Sequence, residues 1–208
     1  MFQDRADAGD QLADLLQTER VEVDVVLGIP RGALPLGRVV ADRLDRPLDV
    51  VVASKIGAPH NPELAIGAAA SDGSVWLNDD IVASVGADDE YVDREAEREA
   101  ANAREKLERY RGDPEPPDLQ GKSVLLVDDG VATGATMRAC IRQAKAAGAE
   151  RVLVAVPVGP PDSLSDLESE ADAVYAVDRP QPFRAVGAHY RSFPQVTDEE
   201  AMTYLDRD

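Results

Sequence analysis

Val124-Leu125-Leu126-Val127-Asp128-Asp129-Gly130-Val131-Ala132-Thr133-Gly134-Ala135-Thr136 is the stretch that decides the fold. Four apolar residues read as a buried strand. Two acids follow, then a small-residue loop that enters a helix. In open α/β sheets, ligands bind beyond the carboxyl ends of the strands. The loop from Ala132 to Thr136 has no bulky side chain, so its backbone N–H groups are open to an anion. A helix N-terminus favours negative charge there, and the threonine hydroxyls add donors. The loop lacks the lysine of a triphosphate P-loop and the spacing of G-x-G-x-x-G. Asp128 and Asp129 repel an anion unless the ligand also carries hydroxyls or a metal. Carboxylates accept strongly from a vicinal diol and attract Mg²⁺ held by phosphate oxygens. Phosphate at one end, and diol with magnesium at the other, describe a phosphorylated sugar. The plainer reading, that the acids only end a strand and cap a turn, explains less of the pattern around them.

Upstream, residues 4–17 predict an amphipathic helix with Ala8, Leu12, Leu15 and Leu16 on one face and Asp4 as its cap. Residues 23–29 are apolar and β-branched, as in a buried strand. Pro30-Arg31-Gly32 then turns into a helix over 34–44, and residues 47–54, with Val50, Val51 and Val52, predict a second buried strand. Such a unit pairs its strands in parallel with a right-handed crossover. From 55 to 73 the chain is rich in Gly, Pro and Ala, with a turn at His60, Asn61 and Pro62. Short strands over 63–70 and 74–77 are expected to pair as a hairpin. Residues 91–111, dense in Glu, Arg and Ala, predict an exposed helix, a solvated face or else a dimer contact. The proline-rich run 113–117 reads as a stiff linker.

Downstream, a helix over 135–147 ends at Gly148, and strands over 151–158 and 173–177 flank a helix over 162–170. Alternation with continuously apolar strands indicates an α/β fold: a parallel central sheet with helices on both faces. The expected organisation is a single domain over 1–208. A loop–helix excursion covers about 55–118, and a small C-terminal hood covers about 180–208. The hood gathers Phe183, His189, Tyr190, Phe193 and Tyr204 in a chain that is 4% aromatic.

With 208 residues, folding buries about 70% of the chain's surface, enough for a core without staples. No apolar run approaches a membrane span and the first ten residues are polar and acidic, so a cytoplasmic location is expected. Cys140, the single cysteine, rules out an internal disulfide, and the sequence has no Cys/His metal cluster. Against 40 acidic residues stand 22 basic ones, a net charge of −18. Such a surface repels nucleic acid and anionic membrane. It suits a halophilic, salt-rich cytosol; a binder of basic partners is the alternative.

The stretch 124–136 resembles the signature that type I phosphoribosyltransferases use to bind 5-phosphoribosyl-1-diphosphate, PRPP. Gly28-Ile29-Pro30-Arg31-Gly32-Ala33 resembles the pyrophosphate loop, and the excursion sits where that family keeps a mobile catalytic loop. Four further segments, 2–9, 55–59, 62–67 and 186–190, resemble a subgroup without an assigned acceptor. The resemblance implies that Asp128 and Asp129 hold the ribose 2- and 3-hydroxyls. It gives the 5-phosphate to residues Gly130, Val131, Ala132, Thr133, Gly134, Ala135 and Thr136. Arg31 and Gly32 would bind the diphosphate through a loop that often has a cis peptide, with Mg²⁺ bridging diol and diphosphate. The implied reaction displaces pyrophosphate from C1 of the ribose by a nucleobase-like acceptor, as in nucleotide salvage. A homodimer is common in the family. Ala132 stands where some purine-salvage relatives have an acid, so a general acid or base must come from His60, Glu63 or His189, or is not needed. Lys55 is either a catalytic cation reaching the diphosphate or a solvated loop residue. Phe183, Tyr190, His60 and His189 are candidate acceptor contacts, with packing and turn roles as their alternatives. Trp76 either plugs the excursion into the core or meets a partner. A PRPP-binding regulatory protein without transfer activity is the rival to the enzyme.

Overall fold

A computed structural model describes residues 1–113 and 115–205. In chain order the elements are α1 (Arg5–Thr18), β1 (Val25–Gly28), α2 (Ala33–Leu44), β2 (Leu48–Val50), β3 (Ala53–Ala58), β4 (Asn61–Ala70) and β5 (Val75–Leu77). There follow α3 (Asp79–Val85), α4 (Asp89–Arg111), β6 (Ser123–Val127), α5 (Ala135–Ala146), β7 (Arg151–Val158), α6 (Pro161–Glu168), β8 (Ala173–Asp178), a 3₁₀ turn (Val186–His189) and α7 (Asp198–Thr203).

Five strands form a sheet in the order β2-β1-β6-β7-β8, and every adjacent pair is parallel. The central strand β6 therefore delivers Asp128 to the middle of the carboxyl edge. Although β6 is apolar throughout, its side chains alternate between two cores. Val124 and Leu126 face Met137, Cys140 and Ile141 of α5 and Leu164 and Leu167 of α6. Leu125 and Val127 face Leu12 and Leu16 of α1 and Leu36 and Val40 of α2. Burying each such side chain stabilises the fold by about 1.5–3 kcal/mol. Helices thus cover both faces, as the apolar strands predict. Asp4 caps α1, accepting from the Asp7 N–H at 3.0 Å.

The excursion departs from the loop–helix expectation. The strand expected over 47–54 divides: β2 stays in the parallel sheet, and after Val51 and Val52 the chain enters a second sheet, β3-β4-β5, which is antiparallel. The β4–β5 hairpin matches the expected one, but β3 replaces expected loop. Its small residues are there for close approach: a Cβ on Gly57 would lie 2.6 Å from the Pro62 carbonyl oxygen. Helix α3 was not expected either; Asn78 starts it by accepting from the Ile81 N–H at 3.1 Å. Nor is α4 merely a solvated face. Ala103, Leu107 and Tyr110 pack on Val50 and Val52, covering the edge of the parallel sheet. Trp76 plugs the excursion onto α5, against Ala135 and Ala139, with the Arg138 guanidinium 4.7 Å above its ring. Cys140 is buried.

The linker expected over 113–117 includes Pro114, and the hood expected over 180–208 includes residues 206–208; these positions lie outside the described residues. Phe2 bridges Tyr190 in parallel, its N–H donating to the His189 carbonyl and its carbonyl accepting from Arg191, each at 2.8 Å. Among the described residues, no helix is long and apolar enough to cross a membrane.

Candidate functional site

Two cavities meet at the carboxyl edge of the parallel sheet. The smaller, about 150 Å³, is walled by residues 130–137, Asp128, Lys55 and Val186. It is the space that the small-residue loop leaves in front of the N-terminus of α5. The loop is fixed from behind: the Val131 N–H donates to the Val158 carbonyl at 2.9 Å, and the Ser163 hydroxyl donates to the Ala132 carbonyl at 2.7 Å. The larger cavity, about 860 Å³, extends over Asp129, the 29–32 turn, α4, residues 193–196 and Asp198. Lys55, Asp128 and Thr136 line both. A ligand with an anionic end and a hydroxylated middle can therefore span them.

The two acids have different surroundings. Asp128 accepts from the Asp129 N–H at 2.8 Å. Burial and, next, the charge of Asp129 push its carboxyl well above the usual range, with Lys55 and Arg5 opposing. Asp129 is also pushed up by burial, but the Arg5 guanidinium opposes this directly, with Nε and Nη2 each 2.9 Å from Oδ2. The Tyr190 hydroxyl donates to the Asp129 carbonyl at 2.6 Å. Two close carboxylates in a dry setting need a partner that relieves their charge, and a diol or a divalent cation does so. Among the described residues, no group of three or more His, Cys, Asp or Glu could hold a metal. A cation at the acid pair would accordingly complete its shell with ligand oxygens and water, the usual habit of Mg²⁺.

The turn after β1 comes up beside the acids. Its Pro30–Arg31 peptide is cis. A Cβ on Gly32 would collide with the Asp129 carboxylate, so only glycine lets this backbone reach the site. Arg31 is 3.7 Å from Asp198. Lys55 reaches the site from β3, exposed on a strand and not carried by a loop.

Thus Asp128, Asp129, Arg31, Gly32, Lys55 and residues 130–136 come together around the two cavities. The candidate acceptor contacts lie elsewhere. His60 is exposed in the β3–β4 turn. Phe183 and His189 stack on each other, ring centres 5.2 Å apart. Tyr190 is buried against Phe2 and Phe193. The hood aromatic that lines the larger cavity is Phe193. Sequence reasoning also missed Arg5, Lys106, Arg109, Tyr110 and Asp198. Arg5 lies in the 2–9 segment already singled out by resemblance; the others sit in a charged helix and an acidic stretch of the tail that give no local signal.

The model of the phosphoribosyl transferase domain family matches residues 4–191. Over 207 residues the chain is 42% identical to "Putative phosphoribosyl transferase Rv0571c" of Mycobacterium tuberculosis. That match covers 100% of this chain and 47% of the relative, so the chain spans about half the length of the curated relatives it matches. The crystal structure of TT1426 from Thermus thermophilus is similar at 44% identity with a TM-score of 0.82, covering 98% of this chain and 97% of that one. Purine phosphoribosyltransferase from Pyrococcus horikoshii shares the fold at 19% identity and a TM-score of 0.50, over 91% of this chain and 87% of that one. By its sequence from residue 4 to 191 and by its parallel sheet, the chain belongs to the phosphoribosyl transferase domain family.

Proposed function

We propose that the domain transfers the 5-phosphoribosyl group of PRPP to a nitrogen of a nucleobase-like acceptor, releasing pyrophosphate. The observation that carries this reading is the meeting of an anion-sized pocket and a larger cation-lined cavity at Asp128, Lys55 and Thr136. In it, N–H groups of residues 130–136 bind the 5-phosphate. Asp128 and Asp129 accept from the ribose hydroxyls and fix the ring. Arg31 and Lys55 face the diphosphate, and the backbone at Gly32 approaches it closely. As the C1–O bond breaks, its electron pair goes to the diphosphate, and the acceptor nitrogen forms the new C1–N bond. Arg31 and Lys55 stabilise the charge that develops on the leaving group, while the cradle and the acids supply orientation. Mg²⁺ would neutralise part of the diphosphate charge, held through ligand oxygens near Asp128 and Asp129. The proton of the acceptor nitrogen passes to water or to the departing diphosphate, because Ala132 brings no acid or base to it.

The reading belongs to nucleotide salvage in a salt-rich cytoplasm, with PRPP and a small acceptor as ligands, no nucleic acid or membrane, and a homodimer as the expected assembly. The test is pyrophosphate release from PRPP and Mg²⁺ across a panel of purine and pyrimidine bases, in molar-range KCl to screen the chain's charge. Release that depends on one base supports the enzyme and names its acceptor. PRPP binding without release for any base supports the regulatory protein, the reading that Ala132 motivates.

A further inference from the structure

In the strip 193–198, Phe193, Pro194, Gln195, Val196 and Asp198 line one wall of the larger cavity, and both ends of this strip are tied to groups that the proposed function gives to PRPP. At the first end, the buried Arg5 uses each guanidinium nitrogen. Nε donates to Asp129 Oδ2 at 2.9 Å, Nη2 lies 2.9 Å from the same oxygen as an ion pair, and Nη1 donates to the Pro194 carbonyl at 2.7 Å. The face of the guanidinium lies 3.8 Å from the centre of the Phe193 ring. At the other end, Asp198 accepts from Arg109 at 2.7 Å and from the Tyr110 hydroxyl, and it lies 3.7 Å from Arg31. Between them, Val196 is buried against α4. Each end is thus a joint. One links the strip to the acid that would hold the ribose, and the other links it to the turn that would hold the diphosphate.

PRPP must engage both joints, in different ways. The diphosphate competes with Asp198 for Arg31. The ribose hydroxyls donate to the carboxylate that Arg5 holds in place through Oδ2, so Arg5 and the sugar share Asp129 and do not compete for it. We propose that Arg5 and Asp198 are positioning residues that make the acceptor-facing strip respond to PRPP, so that sugar binding sets the wall against which the acceptor docks. The inference rests on the PRPP reading above.

The two joints predict opposite signs. Asp198→Asn removes a rival anion, so PRPP with Mg²⁺ binds about threefold more tightly, the scale of a partly exposed ion pair. Arg5→Lys keeps a positive charge near Asp129 but loses the planar fork that also reaches Pro194 and Phe193, so PRPP binds about threefold more weakly. Residues with only a structural role would weaken binding together. The experiment pairs titration calorimetry of PRPP and Mg²⁺ with hydrogen exchange of the amides in residues 193–198, on the full chain. In the wild type, PRPP changes strip exchange several-fold, and in both variants that response largely disappears. A wild type that binds PRPP with an unchanged strip overturns the inference alone. So does a full response in both variants, or weaker binding by Asp198→Asn. A folded wild type that does not bind PRPP overturns the functional reading and the inference with it.

Discussion

In the parallel sheet, β6 buries Val124 to Val127 completely; in the antiparallel sheet, β4 leaves Asn61 to Leu64 in solvent before it buries Ile66 to Ala70. The first sheet is built of branched side chains pressed between two helical layers. The second is built of Gly and Ala, small enough for α4 and α5 to lie close. Helix α5 belongs to both, with Met137 and Ile141 turned to the first sheet and Ala135 and Ala139 turned to the second. The division extends to the site. The acids and the cradle come from the tightly packed sheet, whereas Lys55 and Lys106 come from the lighter unit. In the proposed reaction the groups that fix the sugar stand on the parallel sheet, whereas the leaving group is met from both units, by Arg31 of the turn after β1 and by Lys55 of β3.

That contrast breaks most directly by stability. Leu126→Ala, at a fully buried position, is expected to cost about 2–5 kcal/mol. Leu64→Ala, at an exposed one, should stay within about 0.5 kcal/mol. Urea midpoints in high salt check both, and equal costs would erase the distinction. Next comes the parallel-sheet side of the site. Asp128→Asn with Asp129→Asn should weaken PRPP binding about 100-fold by calorimetry while the circular dichroism stays native, since hydrogen bonds to charged groups are worth about 1.5–3 kcal/mol each. Unchanged affinity removes the acids from the sugar site. The lighter side follows: Lys55→Ala should weaken PRPP binding about tenfold with little change in melting temperature, and an equal loss of stability would make Lys55 a structural residue.

The smallest effect concerns pH. Burial and Asp129 raise the folded carboxyl of Asp128 above its ordinary value of 3.8. The native state then holds the proton more tightly than the unfolded one, so stability declines as pH rises from 3.8 towards the folded value. Asp128→Asn escapes that decline. Without ligand it should melt above the wild type at pH 7, by roughly 2–4 °C per kcal/mol recovered, and the gap should close below about pH 4. A lower melting point at pH 7 would mean that the carboxylate stabilises the empty site.

The parallel sheet was legible because its signals are local. A run such as Val124 to Val127, an acid pair and a loop without bulk state their roles within thirteen residues. Residues 55–58 of β3 read as loop because Gly and Ala carry the same signal in a turn as in a tightly packed strand; only Pro62 beside Gly57 explains the choice. The long-range members of the site were the least legible. Arg5 finds Asp129 across 124 positions of sequence, and Asp198 meets Arg109 across 89. Neither pairing leaves a trace in spacing or composition.

The pairing of Phe2 with residues 189–191, and of Arg5 with Asp129 and Pro194, has a consequence for synthesis. Arg5 leaves the ribosome 189 positions ahead of Pro194. At about 5–20 residues per second, Pro194 follows it by roughly 10–40 seconds. Strands β1, β6 and β7 can assemble in that interval, but the Asp129 carboxylate and the cavity wall are joined only when the last partner emerges. A nascent chain stalled before residue 190 therefore carries the loop of residues 130–136 without the wall that Arg5 joins to Asp129.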